Sequence, residues 1–329
     1  MGAFIVRRVL MLIPFLFLVS ALSFVVIQLP PGSFVDTYKR NLEAQGGTVN
    51  EGQLRALEAR YGLDKPLVVQ YGIWISNILF RGDFGNSFTY QRPVVDILRE
   101  RLPRTVILSL VSIVITWIIA IPLGIIAALK KNSVWDYVLT FLSFIGLSLP
   151  AFLLAILLMY VVFANTGWLV TGLNSPEFQD APWSLAKFFD LLKNVWLPLV
   201  VLAVTGAAGT IRVLRATLLD ELQKPYVVTA RAKGLPEWRV ILKYPVRLAI
   251  NPMISTIGWL LPAVVGGELV VSKVLNLPTV GPIILEATLA QDMYLAGAFV
   301  LLLSTLTVIG TLISDIVLAI ADPRIRLEG

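Results

Sequence analysis

Six stretches of this chain are long enough, and poor enough in charge, to cross a bilayer, and no other feature limits its fold so strongly. A helix rises about 1.5 Å per residue, so a hydrocarbon core about 30 Å thick takes about 20 apolar residues. The stretches run from Val9 to Leu29, Thr105 to Leu129, Val134 to Phe163, Val195 to Ile211, Ala249 to Val271 and Leu295 to Ala321. The fourth is short, carries Thr205-Gly206-Ala207-Ala208-Gly209 and runs straight into Arg212. Small residues let helix backbones approach closely in lipid, so this stretch reads as an interior helix. Composition agrees: 57% of residues are hydrophobic and 15% charged, where a soluble domain carries about 45 to 50% and about 25%. The expected fold is an all-α integral membrane bundle of six transmembrane helices.

The chain has no cysteine and no histidine, which removes thiolate and imidazole chemistry, disulfides and most transition-metal sites. No metal and no catalytic residue is expected. The net charge of +6 would suggest nucleic acid only on a soluble face, and its distribution points to membrane topology instead. Arg7, Arg8, Lys130, Lys131, the eight Lys and Arg between Arg212 and Arg247, Arg324 and Arg326 fall on one side, and Lys187, Lys193 and Lys273 on the other. Basic residues of short loops are retained in the cytoplasm, so both termini are expected there. A cleaved signal peptide is the rival reading of the start, but its apolar run exceeds a usual signal core and no small-residue cleavage site follows. The organisation is therefore residues 1–29 as cytoplasmic start and first helix, 30–104 as extracytoplasmic segment, and 105–329 as a five-helix core with an inner loop at 212–248.

The outer segment has soluble composition. Asn50 to Tyr61 spaces Leu54, Leu57 and Tyr61 at helical intervals, and turns are expected at Gly62-Leu-Asp-Lys-Pro66 and Gly82-Asp-Phe-Gly85. It serves either as a cap over the bundle or as a docking surface. In the inner loop, Tyr226 to Lys233 reads as helix, Gly234 as its left-handed cap, and Pro236 as the first turn of a second helix. Pro225 ends the helix before. Arg239, Lys243 and Arg247 share one face of that second helix, with Trp238, Ile241 and Leu242 pointing away. Anionic lipid headgroups alone would satisfy the cations, but not explain a fixed turn beside an exposed Trp238. A protein contact is the better reading.

Ionisable residues within spans are costly and default to functional hypotheses. Glu268 follows Gly266-Gly267 in the fifth span, Asp315 lies in the sixth, and Asp136 sits near an end of the third where water is reachable. Glu268, in a helix broken by Gly and Pro262, is the candidate for lining a cavity. Pro14, Pro122, Pro150, Pro198 and Pro252 are further breakers, tolerated where neighbours satisfy the freed carbonyls.

Tyr226-Val-Val-Thr-Ala-Arg-Ala-Lys-Gly234 resembles the cytoplasmic loop motif of binding-protein-dependent ABC importer permeases, in their dipeptide and oligopeptide branch. Arg7-Arg8, Gln28-Leu-Pro-Pro-Gly32, Gly62-Leu-Asp-Lys-Pro66 with Gln70-Tyr71, Arg81-Gly-Asp-Phe-Gly-Asn-Ser87 and Asp322-Pro-Arg-Ile-Arg326 are similar to that branch too, so the likeness spans the chain in order. It implies a type I importer transmembrane fold with a sizeable extracytoplasmic segment between the first two helices, in the prokaryotic inner membrane. Implied partners are a second homologous permease, two ATPase subunits, an extracytoplasmic solute-binding protein and membrane lipid. ATP and Mg are bound by the ATPases, since this chain has no G-x-x-x-x-G-K-[ST] loop. The likeness places ATPase coupling on Ala230, Gly234, Leu235, Pro236, Glu237, Trp238 and Arg239, and the translocation path near Gly266, Gly267, Glu268 and Ser272.

The chain departs from the branch at Ser33-Phe34, at Ser272 where a glutamate is usual, and at Asn276-Leu-Pro-Thr-Val-Gly281. Val228 stands where the wider superfamily has glutamate. These changes bear on the solute, oligopeptide or oligosaccharide, more than on import. Two other classes are an ion-coupled carrier working through Glu268 and Asp315, and a membrane enzyme using Asp64 and Asp83, both of which lie in turns.

Overall fold

The computed structural model describes residues 2–28, 39, 52, 59, 62–87, 89–256 and 269–321. Apart from Gly52 and Ala59, the expected helix from Asn50 to Tyr61 lies outside them, as do Gly266, Gly267 and Glu268. Among the described residues, helices dominate: α1 (Gly2–Gln28), α2 (Leu67–Arg81), α3 (Val94–Leu129), α4 (Val134–Ser148), α5 (Ala151–Thr166) and α6 (Leu185–Leu222). They are followed by α7 (Pro225–Ala232), α8 (Glu237–Lys243), α9 (Pro245–Ala249), α10 (Asn251–Ser255), α11 (Val280–Leu289) and α12 (Met293–Ala321). A two-residue antiparallel ladder, β1 (Asn86–Ser87) with β2 (Arg92–Pro93), is the strand exception to the all-α expectation.

Four of these helices are long and apolar enough to cross a membrane, within α1, α3, α6 and α12, and a bent pair makes a fifth candidate. The expected third span is that pair: α4 and α5 turn through 100° at Leu149-Pro150. Leu149 takes an extended conformation, φ −84° and ψ 119°, because the proline ring bars its predecessor from the helical region. Pro14, Pro122 and Pro198 lie inside continuous helices and break nothing. The expected fifth span starts as α9 and α10, passes through residues outside the described set, and resumes as helix at 269–274.

The two central helices exceed their expected lengths, since α3 begins at Val94, before Thr105, and α6 runs from Leu185 to Leu222 rather than Val195 to Ile211. They lie parallel and share the most extensive contact in the chain. A Cβ on Gly206 would stand 3.1 Å from Thr116 Oγ1, and one on Gly124 3.0 Å from Leu214 Cδ2. That close approach is what the small residues of the fourth stretch implied. α1 and α12 pack antiparallel, with Gly297 against Ile27 at one end and Arg8 3.4 Å from Asp315 at the other.

The bundle has two distinct ends. At the first, Phe24, Trp74, Val94, Ile97, Ile283 and Phe299 form a core joining α1, α2, α3, α11 and α12. At the second, Ala128, Leu214, Leu218, Ile241, Val246 and Met253 join α3 and α6 to α8, α9 and α10. Ser314 Oγ donates to Ile254 O of α10 at 2.8 Å, so the start of α1 and the close of α12 share the second end with α7 and α8.

Candidate coupling site

The second end carries an exposed turn between two short helices. α6 stops at Leu222, short of Pro225, which instead opens α7. Proline suits a first helical position because its missing N–H is one the helix leaves unbonded anyway. α7 closes on Gly234 at φ +73°, whose N–H donates to Arg231 O at 2.9 Å. This is the left-handed cap expected from the sequence. Pro236, at φ −65° and ψ 139°, is the N-cap of α8 rather than part of its first turn.

Val227 and Val240 are fully buried against Ala230, with Tyr226, Leu235 and Tyr244 packed around them. Each fully buried valine contributes about 1.5 to 3 kcal/mol, enough to hold two short helices at a fixed angle. Ile241, on the same side as Val240, joins the core with Leu214 and Leu218 of α6. The opposite side is open: Trp238 is 62% exposed and Leu242 53%. The Arg239 guanidinium sits 5.3 Å from the Trp238 ring centroid, a cation–π arrangement. Of the residues expected on the face turned away from the cations, Trp238 and Leu242 are outward but Ile241 is buried. Arg247 also leaves the expected face, because Tyr244, ahead of Pro245, breaks the helix at φ −111° and ψ −78°.

A feature that sequence reasoning missed spans the turn. Arg231 reaches Glu237 through Nε at 3.1 Å to both carboxylate oxygens and through a terminal nitrogen at 2.6 Å to Oε1. The Arg231 hydrogen bond holds the Glu237 carboxyl below its ordinary value and raises the guanidinium in return. Their separation of six positions across a glycine turn is the signal that could have revealed them. The Tyr226 hydroxyl donates to Glu221 and ties α7 back to the end of α6.

Of the expected path residues only Ser272 is described, and it stands apart from this turn. Ser272 is fully buried in 269–274, with its hydroxyl unpartnered. The other ionisable candidates are committed elsewhere. Asp315 faces Arg8, and Asp136 is 2% exposed rather than in reach of water, gripped by Arg215 of α6 at 2.6 and 2.7 Å.

Motifs of the first end also find partners. Gly82 and Gly85 have φ +63° and +92°, and Asp83 Oδ1 accepts from Gly85 N at 2.9 Å. Asp292, ahead of α12, accepts from Ser87 Oγ at 2.5 Å and Thr89 N at 3.0 Å. The Tyr90 hydroxyl donates to Glu286 Oε2 at 2.6 Å, and Lys273 Nζ lies 2.5 Å from Oε1. Gln70 bonds Lys65 O at 2.8 Å and Gln28 at 3.1 Å, while the Tyr71 hydroxyl meets Ser20 Oγ at 2.6 Å. Gln70 and Tyr71 thus fasten α2 to α1.

The described residues thus form an apolar bundle with a hydrogen-bonded segment at one end and an exposed helical turn at the other. Residues 120–327 match the family described as the binding-protein-dependent transport system inner membrane component. Residues 1–109 match the N-terminal region of such components. The chain belongs to this family and is a multi-pass inner-membrane transport permease. It is 36% identical to the oligopeptide transport system permease protein AppB of Bacillus subtilis over 327 residues, covering 99% of this chain and 100% of that one. It is 32% identical to the oligopeptide transport system permease protein OppB of Haemophilus influenzae over 325 residues, covering 98% and 99%.

Proposed function

We propose that this chain is one of two permeases of an ATP-driven oligopeptide importer, with both termini and the α7–α8 turn on the cytoplasmic side. The observation that carries this reading is end-to-end similarity to two oligopeptide transport permeases. Two cytoplasmic ATPase subunits bind ATP and Mg and seat the turn through Ala230, Gly234, Leu235, Pro236, Glu237, Trp238 and Arg239. An extracytoplasmic binding protein delivers the peptide to the opposite end. Gly266, Gly267, Glu268 and Ser272 face the path, which forms between the two permeases across six spans of this chain. A rigid turn suits such a task because packed helices pass on a displacement as bodies rather than bending.

Of the two carboxylates of the ion-coupled alternative, Asp315 already has a cationic partner in Arg8, and Glu268 lies outside the described residues. The test is ATP hydrolysis by the purified complex in lipid, with binding protein and defined peptides. Peptide-stimulated hydrolysis accompanied by uptake is the expected result. Stimulation by an oligosaccharide and not by peptides would overturn the solute, and failure of the chain to purify with an ATPase subunit would overturn the coupling role.

A further inference from the structure

The α7–α8 turn reaches α6 through a shared core of Ile241, Val246, Leu214 and Leu218, in which α9 makes the main contact with α6, Thr217 Oγ1 donating to Ala249 O at 3.0 Å. Beside that core, the same helix meets α4 along an antiparallel seam that includes three contacts of note. A Cβ on Gly146 would stand 2.9 Å from Ala208 Cβ, the Arg212 guanidinium lies 4.7 Å from the Phe144 ring centroid, and Arg215 grips Asp136 with two parallel hydrogen bonds. The first two are a close helix approach and a cation–π contact. The third is more constrained, because a guanidinium fork fixes orientation as well as distance. Asp136 is also the helix-start residue of α4: it accepts from Asn132 N at 2.9 Å and Thr140 Oγ1 at 3.4 Å, and its own N–H donates to the cap Ser133. A carboxylate so buried and so fully bonded cannot change partners without leaving a charge stranded away from water.

We propose that the Asp136–Arg215 pair is the tie through which α6 carries movement of the α7–α8 turn into the bent pair α4–α5, with Arg215 as its positioning residue. This rests on the importer reading above. The turn pushes α6 at Leu214 and Leu218, Arg215 lies in the same helical turn, and Asp136 passes the displacement to α4. The 100° bend at Leu149-Pro150 then converts it into reorientation of α5, which packs on the first-end half of α6 through Ala155, Leu197 and Val201. A lysine at 215 keeps the charge but loses the fork, so it should weaken the tie without emptying the site.

The experiment uses the whole complex in lipid, with Arg215→Lys in this chain and peptide transported per ATP hydrolysed as one readout. The second is the distance between spin labels on Val134→Cys in α4 and Val213→Cys in α6, a clean pair because the chain has no cysteine of its own. Both positions are exposed. The expected result is unchanged membrane level and ATP affinity, transport per ATP lower by about two- to thirtyfold, and a label distance that broadens with nucleotide where the parent's stays narrow. Unchanged transport per ATP overturns the proposal, whatever the distance does. A fall in transport with a narrow distance also overturns it, since Arg215 would then act without serving as a tie. If Arg215→Lys fails to assemble, Asp136→Asn with Arg215→Gln strands no charge and carries the same two readouts. A parent complex that moves no peptide would instead sink the importer reading, and the two failures are told apart by that control.

Discussion

The two ends of the bundle are built on opposite principles. At the hairpin end, Asp292 is fully buried and its carboxylate holds both Ser87 and Thr89, so β1, the turn after it and the start of α12 are closed onto one another. At the turn end, α7 and α8 bury one thin apolar face and leave Trp238 and Leu242 outward. The hairpin end spends its polar groups on its own chain. The turn end keeps its strongest internal link, Arg231 to Glu237, at the surface. A folded segment that fixes its own angle while leaving an aromatic and a cation exposed fits the ATPase contact proposed for it. The hairpin end bonds many of its polar groups within the chain, although Arg101 Nε and Thr279 Oγ1 have no partner among the described residues.

The largest effect expected from this contrast is at Asp292. Asp292→Ala removes the acceptor from Ser87 Oγ and Thr89 N. Ser87 is buried while Thr89 is exposed, and leaving one buried donor unpaired costs about 1 to 3 kcal/mol, so thermal unfolding of the purified protein should move down by a few degrees. Trp238→Ala should leave that transition in place and act on ATPase binding instead. If Trp238→Ala unfolds the chain as readily as Asp292→Ala, the contrast between the ends is lost.

The glycines sharpen the comparison. Both Gly85 and Gly234 have positive φ, but a Cβ on Gly85 would fall 2.7 Å from Tyr294 Cδ1, whereas one on Gly234 meets nothing within 4 Å. The left-handed conformation alone costs an L-residue about 1 to 2 kcal/mol. Gly85→Ala adds overpacking, typically about 1 to 3 kcal/mol. Gly85→Ala should therefore lower the unfolding temperature clearly more than Gly234→Ala. A bulky β-branched residue at 234 should abolish solute-stimulated transport while leaving membrane insertion intact. Equal unfolding shifts for the two alanine variants would show that Tyr294 moves aside.

These glycines were legible in the sequence because a turn's chemistry is local. Gly62, Gly82, Gly85 and Gly234, all picked out as turn residues, all have positive φ. Long apolar helices were legible for the same reason, apart from their ends, since α6 continues past Arg212, where its apolar run stops, to Leu222, just short of the Pro225 that marks its end. What was not legible depends on partners far apart along the chain. Asp136 and Arg215 are 79 positions apart and Ser87 and Asp292 are 205, and one sequence offers no pairing signal at such distances. Arg212 and Arg215, counted among the loop cations, are engaged by α4 instead. The prolines show a further limit: Pro150 bends the chain while Pro122 and Pro198 do not, so residue type alone does not decide a break.

The smaller effects concern the two half-exposed ion pairs, one at each end. Lys273 and then Tyr90 hold the Glu286 carboxyl below its ordinary 4.5. A carboxyl with a depressed value in the folded protein stabilises it above the unfolded value and loses that contribution as pH falls through the folded one. Lys273→Met should therefore unfold more easily than the parent at pH 7, with the difference fading below about pH 4.5 as Glu286 becomes protonated in both. Melting temperatures from pH 7 to about pH 3 would show it.

Arg231→Met at the turn should change stability with the same sign, because Arg231 depresses Glu237 in the same way, but by less. Glu286 keeps a second partner, the Tyr90 hydroxyl, that fixes it in place. Glu237 is 56% exposed and rests on the arginine, and exposed pairs contribute little because water and salt screen them. Raising salt should accordingly shrink the Arg231→Met difference sooner than the Lys273→Met difference. A pH-dependent loss at Arg231→Met that exceeds the one at Lys273→Met would mean that the turn, not the hairpin end, is the more tightly fastened part of the molecule.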